Sequence, residues 1–244
     1  MTIFVDGDRA AALSARRRTL RLLGASGIVL VAGRALTVAA AAADDRPPAC
    51  VVRPRQTEGP FYVAGDVERS DLRLDSGTGE AVPGVPLRLS FRVSRLTPAG
   101  CAPVSGVQVH VWSCDATGRY SAVHGPHAST AGDAILRGYQ TTDAGGAARF
   151  FTIYPGWYPG RAVHVHFKIL TASAESPREF TSQLYFDDAL SDAVYRSAPY
   201  ARRYQREMRN ADDFLFRSGG SELLLDVVPA ADGYAAVFAL GLQD

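Results

Sequence analysis

Several common signatures are missing from this chain, and each absence removes a class of function. No stretch reaches the ~20 consecutive apolar residues that a membrane-crossing helix needs. Neither a Gly-rich phosphate loop nor a nucleophile-elbow serine occurs, which weighs against nucleotide chemistry and serine hydrolysis. Charge of either sign is scarce in excess: the formal net charge is +1, so the basic footprint of a nucleic-acid binder is absent and no nucleic-acid partner is expected. Cysteines number three, without zinc-type spacing. Helix-period patterning is thin, and there is no internal repeat.

The N-terminal region has the pattern of a targeting segment. Arg16, Arg17 and Arg18 precede a nearly apolar run from Leu22 to Gly33, and an alanine tract follows from Ala39 to Ala43. The Arg17-Arg18-Thr19-Leu20 sequence resembles a twin-arginine export signal. We therefore expect residues 1–43 to be an export signal, residues 44–56 a flexible lead-in, and residues 57–244 the folded domain, in a periplasmic or extracellular protein. Cleavage after Ala43 would remove six arginines and two aspartates and leave a net charge of −3. Cys50 lacks the leucine-containing context of a lipid-anchored cysteine, so no stable membrane anchor is expected. In an oxidising compartment three cysteines predict one disulfide and one spare thiol. The pairing cannot be read from sequence; Cys101–Cys114 is favoured because the two bracket one candidate strand.

Strand-period alternation dominates the rest. Leu87–Val93, Val107–Val111, Arg149–Ile153, Val163–Ile169 and Phe180–Phe186 read as strands, and Leu223–Val228 with Tyr234–Leu240 as a closing hairpin. Ser191–Arg203 is the best helix candidate, broken by Pro199. Short strands between frequent turns predict an all-β, single-domain β-sandwich with long loops and little helix. His110 is expected on an outer sheet face, His124 and His127 in a loop that could reach a pocket mouth, and Asp187 and Asp188 as solvated or turn residues.

The chemistry concentrates in Phe150–Phe167. His164 and His166 stand at i and i+2, so on a strand both imidazoles leave one face while Val163, Val165 and Phe167 face a core. Such a pair also occurs as a structural accident. Tyr158, in a Trp-Tyr-Pro-Gly turn, and Arg161 lie just upstream. A strongly charged cation can strip a phenol of its proton as it does water or thiol, and the resulting hard oxygen with imidazole suits trivalent iron. Tyr120, beyond the turn Asp115-Ala-Thr-Gly118, is a second candidate phenol.

The words TEGPFY, GRYS, TDAGGAARFFTIYPGWYPGR, RAVHVHF and FTSQLYF, in that order, resemble the intradiol ring-cleavage dioxygenases, non-haem ferric enzymes that open catechols between the hydroxylated carbons. The resemblance covers roughly Thr57 to Tyr200. It implies one Fe(III) per chain held by Tyr120, Tyr158, His164 and His166. It further implies that Arg161 stabilises negative charge on the substrate ring, that Gln183 lines the same pocket, and that Tyr158 leaves the metal when a catechol binds. Gly59, Pro60, Tyr62 and Trp157 would border the substrate. The implied partners are a small catecholic molecule and O2, with a homo-oligomer open, and the implied product is a muconate-type diacid containing both oxygen atoms.

Two departures bear on substrate. Only five residues separate Tyr158 from His164, where members acting on simple aromatics usually carry a longer insertion, and little sequence precedes TEGPFY, where catechol-type members carry a dimerising helical segment. A more open pocket and a bulkier catechol are expected. The rival reading is an exported, non-catalytic β-sandwich binding module whose histidines merely fill a sheet face.

Overall fold

The strand-period segments pair into two sheets whose apolar faces meet. The computed structural model describes residues 50–65, 67–75, 77–124, 134–171, 178–200 and 206–243. The export segment, the first part of the lead-in, His127 and the end of the Ser191–Arg203 candidate lie outside the described residues. Strands are β1 (Pro86–Thr97), β2 (Gly100–Pro103), β3 (Gln108–Trp112), β4 (Arg137–Thr141), β5 (Ala147–Ile153), β6 (His164–Thr171), β7 (Arg178–Tyr185), β8 (Val227–Ala230) and β9 (Gly233–Leu242). The first sheet runs β2-β1-β9-β8, with β5 also paired to β1; the second runs β4-β3-β6-β7. The described fold is all-β, as the alternation predicts.

Leu87, Leu89, Phe91 and Val93 of β1 face Val109, Val111, Val165, Phe167 and Ile169 of the second sheet in one apolar cluster. Phe167 bridges the layers, its ring 5.2 Å from Phe91 and 5.5 Å from Phe238. Burying side chains of this size stabilises by about 1.5–3 kcal/mol each. The other face of the second sheet therefore lies outside the sandwich, and register sets what stands there. Arg137, Trp112, His166 and Gln183 form one row across its four strands.

The structure corrects several expectations. The disulfide joins Cys50 to Cys101, and Cys114 is buried outside it as a thiol. Cys101 lies on β2 of the first sheet while Cys114 follows β3 of the second, so bracketing a strand in sequence does not bring these two together. Helix α1 spans Asp188–Val194, starting earlier than predicted because the Asp187 side chain accepts from the Leu190 amide as an N-cap. Asp188 is not simply solvated: its carboxylate pairs with the buried Arg206 at 2.5 Å. Leu223 belongs to a 3-10 turn, Gly220–Leu223, so the closing hairpin starts only at Val227. A short helix α2 (Phe214–Arg217) precedes that turn. β2 and β4 escaped sequence reading, being four and five residues long without clean alternation. His110 is on the face opposite Val109 and Val111 but is buried, its ring stacked 4.9 Å from Tyr139. Among the described residues no helix is long and apolar enough to cross a membrane.

Candidate metal centre and active site

On β6 the two-residue repeat sends His164, His166 and Lys168 to the outer face of the second sheet. The His164 Nδ1–H donates to the Ala162 carbonyl at 2.6 Å, which leaves Nε2 unprotonated and aimed along the face. His164 Nε2 and His166 Nε2 stand 3.0 Å apart, their rings nearly perpendicular at 82°. Trp112, next to His166 in the register, stacks on its imidazole at 5.1 Å and 4°.

Two loops bring the phenols to these nitrogens. Asp115 Oδ1 accepts from the amides of Thr117 and Arg119 at 2.7 and 3.1 Å, folding the turn after β3. Gly118, at φ +79°, closes that turn against the second loop. A Cβ there would lie 2.1 Å from the Trp157 carbonyl oxygen, so only glycine allows the approach. The Gly156 amide also donates to the Asp115 carbonyl at 3.1 Å. Tyr120 and Tyr158 are thereby set with ring centroids 5.8 Å apart. Tyr158 Oη is 3.0 Å from His164 Nε2. Tyr120 Oη is buried, and among the described residues no group meets it in good hydrogen-bond geometry. The Tyr158 hydroxyl lies close enough for the two phenols to bear on each other's ionisation.

All four groups are neutral at pH 7 in the absence of a cation. Burial, and then the Arg161 charge, pushes His164 down to about 3. Burial also depresses His166 strongly, with His164 and Arg161 adding to it. Burial raises Tyr158 to about 12 despite the opposing Arg161 charge, and also raises Tyr120 well above the ordinary phenol value. Two buried phenols and two buried neutral imidazoles with their polar atoms turned to one point are a poor arrangement for a site that holds nothing.

The donor set fits a first-row cation. Tyr158 Oη, His164 Nε2 and His166 Nε2 stand at successive 3.0 Å separations, close enough for one cation to be held by all three. Phenolate oxygen with imidazole is the hard donor set that suits ferric iron. Gly59, at φ +69°, passes over the site where an added Cβ would be 3.2 Å from His166 Cε1, and so leaves that space open.

Residues 57–62 cover the site. Phe61 stacks on Tyr120 and meets Tyr158 edge-on at 5.8 Å. Tyr62 packs on Trp112 at 5.1 Å and under the Lys168 ammonium at 3.8 Å, so it reaches the site through Trp112. Pro60 is exposed in the same turn. Lys168, whose side chain is nearly buried, also pairs with Glu58 at 2.5 Å and Glu179 at 3.1 Å, tying the segment down. Trp157 is buried with the main apolar cluster, whereas Trp112, Tyr120 and Tyr158 form a second one.

Arg161 Nη1 approaches His164 Nε2 to 3.4 Å, while its Nε donates to Asp213 Oδ2 at 2.9 Å. Gln183 accepts from Arg161 Nη2 at 2.5 Å and donates to the Thr57 carbonyl at 2.9 Å. Thus Tyr120, Tyr158, Arg161, His164, His166, Gln183 and Gly59 converge, and exposed His124 takes no part in the contacts described. Sequence reading missed Phe61, Trp112 and Asp213. Phe61 lay inside the quoted TEGPFY word; Trp112 was findable only once the β3–β6 register was known.

A family model described as dioxygenase matches residues 57–212. The chain is 34% identical over 164 residues to the protocatechuate 3,4-dioxygenase beta chain of Burkholderia cepacia, covering 62% of this chain and 68% of that one. It is 31% identical over 153 residues to catechol 1,2-dioxygenase 1 of Acinetobacter lwoffii, covering 53% of this chain but only 45% of that one. In structure it is similar to an intradiol ring-cleavage dioxygenase from Tetranychus urticae, with a TM-score of 0.68, 25% identity, and coverage of 80% of this chain and 95% of that one. These likenesses favour an enzyme over the binding-module reading, and the chain belongs to the intradiol ring-cleavage dioxygenase family.

Proposed function

We propose that this enzyme binds one ferric ion through Tyr120, Tyr158, His164 and His166. There it opens a catecholic ring between the two hydroxylated carbons, both atoms of O2 entering a muconate-type diacid. The observation that carries the reading is the meeting of Tyr158 Oη, His164 Nε2 and His166 Nε2 at successive 3.0 Å separations, with the buried Tyr120 packed against Tyr158. Held by Tyr120, Tyr158, His164 and His166, ferric iron would supply the Lewis acidity that favours the ionised form of phenol and catechol hydroxyls.

The chain's own groups divide the remaining work. Tyr158, outside the strands and followed by the Pro159-Gly160 turn, is suited to take up a catechol proton at Oη. Arg161 turns Nη1 toward the site, where fixed positive charge stabilises an anion developing on the ring. Phe61 and Trp112 exclude water from the ligand side, and Gly59 keeps space over His166. The five-residue loop between Tyr158 and His164 favours a bulky or environmental catechol over the simplest one. The Cys50–Cys101 disulfide supports export to an oxidising compartment.

The test is product analysis under 18O2 with a panel of simple and substituted catechols, on protein whose iron content has been measured. Expected are about one iron per chain, a purple-red tyrosinate absorption, and two labelled atoms in one ring-opened diacid. A colourless, iron-free protein, or a product carrying a single label, would sink the reading. Turnover confined to unsubstituted catechol would overturn the substrate assignment alone.

A further inference from the structure

Each of the three Arg161 guanidinium nitrogens has a neighbour, and Nη2 also reaches the Tyr185 hydroxyl at 3.4 Å. Nε is bound to Asp213 and Nη2 to Gln183, and Nη1 is the corner turned toward His164. Asp213 reaches Arg161 across 52 residues of sequence, and its side chain is wholly buried. The same Oδ2 that accepts from Arg161 also accepts from the Ala162 amide at 2.8 Å. The other oxygen, Oδ1, caps α2, accepting from the amides of Leu215 at 2.8 Å and Phe216 at 3.4 Å. A carboxylate with four donors has no freedom to turn, and it locks a planar guanidinium through Nε. Asp213 stands immediately after the 57–212 span of the family match.

We propose that Asp213 is the positioning residue for Arg161: it fixes the guanidinium plane so that Nη1 faces the reacting ring, and it is the buried counter-charge that keeps this cation beside the metal ligands. An arginine without that partner would be driven from a site holding a trivalent ion, by like-charge repulsion and by desolvation. Gln183 extends the clamp, since its amide carries the Arg161 contact on to Thr57 at the start of the covering segment. The consequence for turnover rests on the ring-cleavage reading; the geometry of the clamp does not.

The experiment is a double-mutant cycle on the iron-loaded full chain, Asp213→Asn with Arg161→Met, followed by steady-state kinetics and anaerobic catechol titration. Asp213→Asn is expected to lower kcat about 100-fold, the effect of misplacing a catalytic group by about 1 Å. The catechol Kd and the tyrosinate band should change little. In the Arg161→Met background the same substitution should add less than about threefold, because the two act as one unit. A wild-type kcat in Asp213→Asn, or losses that multiply in the double variant, overturns the proposal. Wild-type protein that binds no catechol overturns the ring-cleavage reading instead. Because Asp213→Asn also weakens the α2 cap and can fail to fold, a measurement without substitution accompanies it. In full-chain protein loaded with diamagnetic gallium(III) and 15N-labelled at arginine, the Arg161 Nε–H should exchange with solvent far more slowly than that of exposed Arg149. Equal exchange at the two arginines would refute the clamp.

Discussion

The Phe61 ring lies 4.2 Å from the Tyr120 ring and 19° from parallel, so the covering segment is stacked directly on a candidate phenol ligand. Such a pair contributes about 0.5–1.5 kcal/mol beyond area burial. Phe61→Leu is therefore expected to raise KM for the catechol about 2- to 10-fold and to shift the visible band of the iron-loaded protein. Titration of the variant beside wild type checks both. Unchanged KM and band would mean that the stack has no bearing on the site.

Iron loading should release protons from the phenols and none from the imidazoles. Burial keeps Tyr158 protonated up to about 12 and His164 unprotonated down to about 3. Ferric binding near pH 7 should thus liberate about two protons from Tyr120 and Tyr158, with one more if a hydroxide completes the site. Affinity should accordingly rise with pH. Titration of iron into weakly buffered apoprotein reads the stoichiometry directly, and a value near zero would remove the tyrosines from the ligand set.

Acid should destabilise the fold through Asp213. Burial opposes its charge, but the Ala162 and Leu215 amides and the Arg161 guanidinium prevail and hold its pKa below the ordinary 3.8. A depressed carboxylate contributes stability that is present above its unfolded-state pKa and is lost as pH falls through the lower folded value. Asp71 has the same sign through its hydrogen bond and charge pairing with Arg73. Denaturant melts should lose stability below about pH 4, with a shallower acid limb in Asp213→Asn. An unaltered limb in that variant would show that the Asp213 carboxylate is not linked to folding.

Removing the disulfide should cost stability without touching chemistry. Cys50 and Cys101 are 51 residues apart, and closing a loop of that length stabilises by about 4 kcal/mol in the chain-entropy view. Paired Cys50→Ser and Cys101→Ser substitutions should lower the urea midpoint accordingly while kcat is preserved. Cys114, buried with its Sγ 3.3 Å from the Gly156 carbonyl, should resist thiol reagents until the protein unfolds. Rapid labelling of the native protein would contradict that burial.

The local periodicities were legible, because alternation and i, i+2 spacing are properties of a strand before it pairs. They placed β1, β3, β5, β6, β7 and β9, and they set His164 and His166 on one face with Val165 and Phe167 on the other. What sequence withheld depends on pairing. Trp112 meets His166 only through the β3–β6 register. The Cys50–Cys101 bond follows from which sheet β2 joins. Asp213 before Phe-Leu-Phe has the signature of a helix cap, and it is one, but nothing local indicates that its other oxygen reaches Arg161. His110 was placed on the correct side of β3, and its burial comes from Tyr139 on a strand too short to recognise.

The candidate ligands stand on the side of the second sheet turned away from the shared apolar layer, under a roof built from residues 57–62 and the two tyrosine-bearing turns. Cohesion and reactivity thus occupy opposite surfaces of the same four strands. Substitutions confined to residues 57–62 leave the packing between the sheets as it is, so this part of the roof can change with less risk to folding than the two glycine-locked turns beneath it.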